Sequence, residues 1–143
     1  MLRYKLLICA LILLIGCQVS PRKIEYGHDA CAFCKMTIID QRHAAQLVTE
    51  KGRNYVFDAI ECMIRYQKET PQTYRFQLVS DYLSPGTLIQ VEEATFMISN
   101  DIPSPMGAFL SAFADTDQLY GLPEAEDGKI YKWTELKQAI VSK

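Results

Sequence analysis

Residues 28 to 36 read His28-Asp29-Ala30-Cys31-Ala32-Phe33-Cys34-Lys35-Met36, which puts two thiols and a thioether within six residues, three after an imidazole. A sulfur cluster of this kind can be a redox pair, a nucleophile or a soft metal site, and the neighbouring residues decide which. A c-type haem needs His directly after the second Cys; Lys35 stands there, which excludes haem attachment. A thioredoxin-like pair sits after a strand, at a helix N-terminus whose dipole favours the thiolate. Here the pair follows a polar stretch and precedes strand character. A structural zinc site wants four N or S ligands in a tetrahedron. His28, Cys31, Cys34 and Cys62 could supply them, although a second close pair is missing. A Cys31–Cys34 disulfide, with Cys62 as a buried core residue at a helix start, is the plainest alternative. Cu(I) fits best, because soft thiolate and thioether ligands select it and two or three suffice. Met106 strengthens that reading. In Ser104-Pro105-Met106-Gly107 the proline stiffens the chain and the glycine permits close backbone approach, whereas Met63 and Met97 fall on helix and strand faces as core filler. Spacing alone does not decide whether Cys62 or His28 joins the set.

The cysteine count bears on the compartment. Of five Cys, Cys9 and Cys17 belong to the N-terminal segment, leaving an odd three that cannot all pair within the chain. Arg3 and Lys5 precede an apolar stretch from Leu6 to Ile15 that ends in Leu14-Ile15-Gly16-Cys17. A positive start and a short apolar core make a secretory signal rather than a membrane span. Two aliphatics followed by Gly and Cys resemble the bacterial lipobox. The expectation is a lipoprotein signal peptide over 1–16, a lipid on Cys17, and a tether over 17–27. The protein would then sit on the bacterial cell envelope, facing the periplasm or the exterior.

Composition narrows the rest. In 143 residues, 15 Lys+Arg stand against 17 Asp+Glu, so there is no basic footprint for nucleic acid. Hydrophobic residues at 49% and charged ones at 22% are a globular balance.

The elements that must position the sulfurs come in two similar stretches. Gly52 to Ile60 aligns with Gly128 to Leu136: a glycine, a basic residue, a tyrosine, a large aromatic, a capping residue and an aliphatic recur in order. Asp58 with Glu61 reads as a capping box, and Thr134 holds the equivalent cap. Beyond them Ile60, Met63, Ile64 and Leu136, Ala139, Ile140 fall at helical spacing. Strand character covers 37–39, 44–49, 74–79, 88–91, 94–99 and 108–113, with a short helix over 115–120 and an irregular loop at Pro103 to Gly107. His43 is placed on a strand surface. The expected fold is α+β, with two strand-strand-strand-helix units, 28–70 and 71–143, packed together.

Taken in order, the lipobox, Cys31-x-x-Cys34-x-Met36, Ala44-Ala45-Gln46, Phe57-Asp58-x-Ile60-x-Cys62-Met63, Pro105-Met106-Gly107 and Phe113-Ala114-Asp115 resemble the NosL family, lipoprotein copper chaperones associated with nitrous oxide reductase. The resemblance implies a two-unit fold akin to the organomercurial lyases and a single Cu(I) site. Its ligands would come from Cys34, Cys31 and Met106, with Met36 next. It also implies a role in binding rather than catalysis. The partner would be a copper-receiving client, nitrous oxide reductase or its maturation machinery, reached from a membrane anchor at Cys17. Lys35 departs from the glycine that many members carry. Two other classes stay open at this point: a thiol-based enzyme with Asp58 near the thiols, although Asp58 reads better as a helix cap, and a structural zinc domain.

Overall fold

The computed structural model describes residues 18–141; the expected signal peptide and Cys17 lie outside the described residues. The fold is α+β and holds two antiparallel sheets. In the larger sheet β1 (Ala45–Thr49), β2 (Asn54–Phe57), β3 (Tyr74–Ser80) and β4 (Leu88–Gln90) take the order β2-β1-β3-β4. In the smaller sheet β5 (Thr95–Ile98), β6 (Leu110–Phe113) and β7 (Lys129–Tyr131) take the order β6-β5-β7. Among the described residues three helices complete it: α1 (Ile60–Glu69), α2 (Thr116–Tyr120) and α3 (Trp133–Val141), with a 3-10 turn at Pro123–Ala125. Among the described residues no helix is long and apolar enough to cross a membrane.

β1 is buried along its whole length because it lies between β2 and β3 and beneath α1. The amide nitrogen of its one long polar side chain, Gln46, donates to the Arg22 carbonyl and to Asn54 Oδ1 at 2.9 Å each, while its Oε1 is buried without a partner. Burial of a polar amide is tolerated only with such partners. α1 buries Ile60 through Ile64 and meets α3 at the back of the sheets. Phe57, Leu47, Met63, Phe96, Leu110 and Leu136 are fully buried in the shared core. Each such side chain is worth about 1.5–3 kcal/mol in area removed from water. The sheets are joined where β3 runs on: Asp81 bridges Ala112, the Tyr82 N–H donates to the Ala112 carbonyl at 2.8 Å, and the Ala114 N–H donates to Asp81 Oδ1 at 3.2 Å.

Each half of the sequence repeat forms an edge strand and the helix after it, β2 into α1 and β7 into α3, the strands pairing with the central β1 and β5. The division expected after residue 70 cuts across the larger sheet, since β3 pairs with β1 from Ala45↔Val79 to Thr49↔Tyr74. The stretch read as a tether is docked from Arg22 onward. Arg22 pairs with Asp29 at 2.7 Å, its N–H reaches Asn54, and Ile24 is 3% exposed. Residues 37–39 do not form a strand; Thr37 makes one bridge, to Ala30, and Asp40 turns the chain into β1.

The expected capping box does not form. The N-cap of α1 is Ala59, without a side-chain hydrogen bond, because Asp58 turns its carboxylate to the Ile39 N–H and Glu61 is used elsewhere. Thr134 is the second residue of α3 rather than its cap. The reach-back contact there comes from Glu135, which accepts the Lys132 N–H at 3.0 Å.

Candidate metal centre

Residues 30–37 fold into a small closed loop. The Cys31 N–H donates to the Met36 carbonyl at 2.8 Å, the Lys35 N–H returns to the Cys31 carbonyl at 3.0 Å, and Ala30 bridges Thr37. The Ala32 N–H, bonded to the Val56 carbonyl at 2.8 Å, docks this loop on β2. Closure needs a left-handed residue after the second cysteine, and Lys35 supplies it with φ 68. That region is strained for any residue but glycine. Lys35 is retained there with its Nζ hydrogen-bonded to the Ala32 carbonyl at 2.6 Å.

The loop brings Cys31 and Cys34 to the start of α1, where Cys62 faces them. The three sulfurs all lie within 4.8 Å of one another, and all three are free thiols. Metal–thiolate bonds of about 2.3 Å let two sulfurs share one ion when they are up to about 4.6 Å apart. The cluster is therefore within a small adjustment of holding a single ion. Cys31 and Cys62 are fully buried, and Cys34 is partly open to solvent.

The three thiols are not equivalent. The Cys62 S–H donates to the Cys31 sulfur, and the N–H groups of Asp58, Cys34 and Phe33 also point at it, which together lower the Cys31 pKa to about 5 against the cost of burial. Hydrogen bonds to the charged form favour that form. The same contact, seen from the donor, pushes Cys62 far up, with burial adding to it. Burial raises Cys34, opposed by the Met36 N–H that it accepts. Asp58 is 4% exposed; burial first, then the charge on Cys31, raises its pKa. One sulfur is thus held ready as a thiolate before any ion arrives.

The other candidates are placed as follows. Met36 follows the thiol loop with its side chain 53% exposed. Met106 packs partly against the main core, on the turn closed by the Gly107 N–H to the Ser104 carbonyl at 3.0 Å. That turn is tied to α1 at Glu61, the residue before Cys62. His28 is exposed and outside the thiol group. Cys62, which its apolar neighbours Ile60, Met63 and Ile64 let pass for core, is the member that spacing did not place. Its signal was the motif Phe57-Asp58-x-Ile60-x-Cys62-Met63.

His43 is buried at 2% exposure rather than on a strand surface. Its Nδ1 meets Asp40 Oδ2 at 2.9 Å and its Nε2 meets Ser111 Oγ at 3.1 Å. The order Asp-His-Ser has the form of a hydrolase triad, but Ser111 is fully buried on β6 and no substrate can reach it. These contacts fasten the loop before β1 to the smaller sheet.

The NosL family model matches residues 22–141. Among solved structures, the crystal structure of the copper chaperone NosL from Shewanella denitrificans superposes with a TM-score of 0.71 at 19% identity, covering 85% of this chain and 98% of that one. At that identity the likeness shows a shared fold. No curated protein matches the chain by sequence.

Proposed function

This chain belongs to the NosL family, and we propose that it is an envelope copper chaperone that holds one Cu(I) and passes it to a client. The observation that carries this reading is the three free thiols within 4.8 Å of one another. Soft sulfur donors in a set of two or three suit Cu(I) better than zinc, which takes four. Cys31 and Cys34 hold the ion, Cys62 is within reach of the same ion, and Met106 completes the set from the Pro-Met-Gly turn. Met36, the exposed sulfur, meets the incoming ligand. Transfer is ligand exchange: a client sulfur or imidazole bonds to the ion on its open side, and the chaperone's outermost sulfur then leaves, with no change in copper oxidation state. Of the two loop thiols Cys34 is partly open and Cys31 is not, so Cys34 is the first thiolate to be displaced. The protein's part is binding and transfer rather than catalysis.

The reading extends beyond the described residues. A signal peptide over 1–16 and a lipid on Cys17 would confine the protein to the membrane surface, facing the periplasm or the exterior. Two acyl groups or more are needed for a stable anchor, since one chain binds only marginally. The client is nitrous oxide reductase or its maturation machinery, as the family suggests. The kinship with organomercurial lyases belongs to the same reading. Asp58 beside Cys31 is the observation that would fit lyase chemistry, and an assay for protonolysis of a carbon–mercury bond is expected to show none.

The test is an anaerobic titration of the chain from Gln18 with Cu(I) against a coloured chelator, with zinc as control. Tight one-to-one Cu(I) binding that is lost in the Cys31→Ser/Cys34→Ser double variant is expected, with Met106→Ala weakening affinity in a folded protein. Failure to compete, or a preference for zinc, would sink the chaperone reading.

A further inference from the structure

Glu61 is fully buried, yet among the described residues it has no ion-pair partner. A carboxylate in that position is expensive, and an apolar side chain on the buried face of α1 would avoid the expense. What Glu61 does have is two donors on one oxygen: Ser104 Oγ at 2.8 Å and the Ala108 N–H at 3.2 Å. Its other oxygen, Oε2, is buried without a partner.

The two donors are the feet of a single turn. Between them the Gly107 N–H closes on the Ser104 carbonyl at 3.0 Å, and Gly107 takes φ 75, so Pro105 and Met106 occupy the turn's corners. One carboxylate oxygen therefore grips the turn on both sides of Met106, and the helix residue after Glu61 is Cys62. The thioether loop and the third thiol are registered to each other through two consecutive residues of α1. The local sequence does not ask for this, since a glutamate in the first turn of a helix ordinarily reaches back to the cap.

We propose that Glu61 is a positioning residue that latches the Met106 turn onto α1, so that the thioether is presented to the thiol cluster. This rests on the reading of Met106 as a copper ligand.

The test uses the full chain in detergent, labelled with 13C at its methionine methyls, with Cu(I) added anaerobically. In the native protein the Met106 methyl resonance shifts on adding one equivalent. In Glu61→Ala that shift is lost, and Cu(I) affinity falls by about tenfold, as expected when a residue supporting a ligand is removed. The loss equals that of Met106→Ala, and the two changes together cost no more than either alone. Glu61→Gln, which keeps an acceptor oxygen, restores the shift. Should Glu61→Ala not fold, Ser104→Ala removes one foot of the latch and is expected to diminish the same shift. A Met106 shift that survives unchanged in Glu61→Ala or Ser104→Ala overturns the latch alone. A native protein whose Met106 methyl ignores Cu(I) overturns both the latch and Met106 as a ligand, while binding through the thiols is judged separately by the cysteine variants.

Discussion

Cys62 donates its thiol hydrogen to the sulfur of Cys31, joining the first turn of α1 to a loop that precedes β1. Both residues are fully buried. The contact does two things at once: it stabilises a thiolate on Cys31 and brings a third sulfur to a pair that the local sequence had already supplied. A redox pair of the thioredoxin kind would present its low-pKa sulfur to a substrate. Here the low-pKa sulfur is the enclosed one, which suits a ligand that waits for a small ion.

The apo protein is expected to show a thiol that ionises near pH 5, seen as thiolate absorbance in the ultraviolet. The Cys31 pKa falls from 9.0 to about 5 in the folded state. Between those values the unfolded chain carries a proton that the folded chain has released, so stability rises with pH across that window and is lost as pH falls through about 5. Cys31→Ser should flatten this part of a denaturation-versus-pH curve. Thiolate signal that first appears near pH 9 would show that the Cys62 contact does not persist in solution.

Lys35→Gly should stabilise the domain. Lys35 holds φ 68, and a non-glycine residue in that region costs about 1–2 kcal/mol. The lost Nζ contact to the Ala32 carbonyl is exposed and offsets only part of this. Glycine's greater freedom in the unfolded chain takes back about 0.5–1 kcal/mol, so urea denaturation should give a net gain of a few tenths to about 1 kcal/mol, with Cu(I) affinity unchanged. Destabilisation would mean that the lysine contact and the entropy cost of glycine together outweigh the backbone strain.

His43→Ala should destabilise by about 1–3 kcal/mol, the cost of stranding buried polar partners, here Ser111 above all. Copper affinity should not move, because neither His43 nor its partners Asp40 and Ser111 belong to the thiol group. A parallel loss of Cu(I) binding in a folded variant would contradict that separation.

Gly128→Ala tests the second half of the repeat. A Cβ there would lie 2.5 Å from Met97 Sδ and 3.2 Å from the Glu124 carbonyl oxygen. Met97 is fully buried, so its side chain can give way only by displacing neighbours in a close-packed core. A loss of about 1–3 kcal/mol is expected on thermal unfolding, the usual cost of overpacking. A neutral result would show that the smaller core repacks freely.

Local chemistry made much of this molecule readable from sequence. The strands at Tyr74, Leu88, Thr95 and Leu110 follow apolar runs, and the loop at Pro103 to Gly107 follows its prolines and glycine. The pairing of Cys31 with Cys34 was legible because both thiols lie on one short loop. What failed was local inference applied to groups with distant partners. Asp58 and Glu61 have the spacing of a capping box, yet one accepts from Ile39 and the other from Ser104 and Ala108. His43 bonds to Ser111 on the other sheet. Cys62 joins the thiols only because α1 docks its first turn against the loop, and nothing in the helical periodicity of its neighbours distinguishes a clustered thiol from a core one.

Copper-edge X-ray absorption of the protein loaded with one equivalent of Cu(I) addresses the metal centre most directly. The expected spectrum is that of a low-coordinate Cu(I) surrounded by sulfur alone, with the sulfur shell lost when Cys31 and Cys34 are both replaced by Ser. A shell dominated by nitrogen or oxygen, or one unaltered by those replacements, would place the copper elsewhere and contradict the thiol cluster as its carrier.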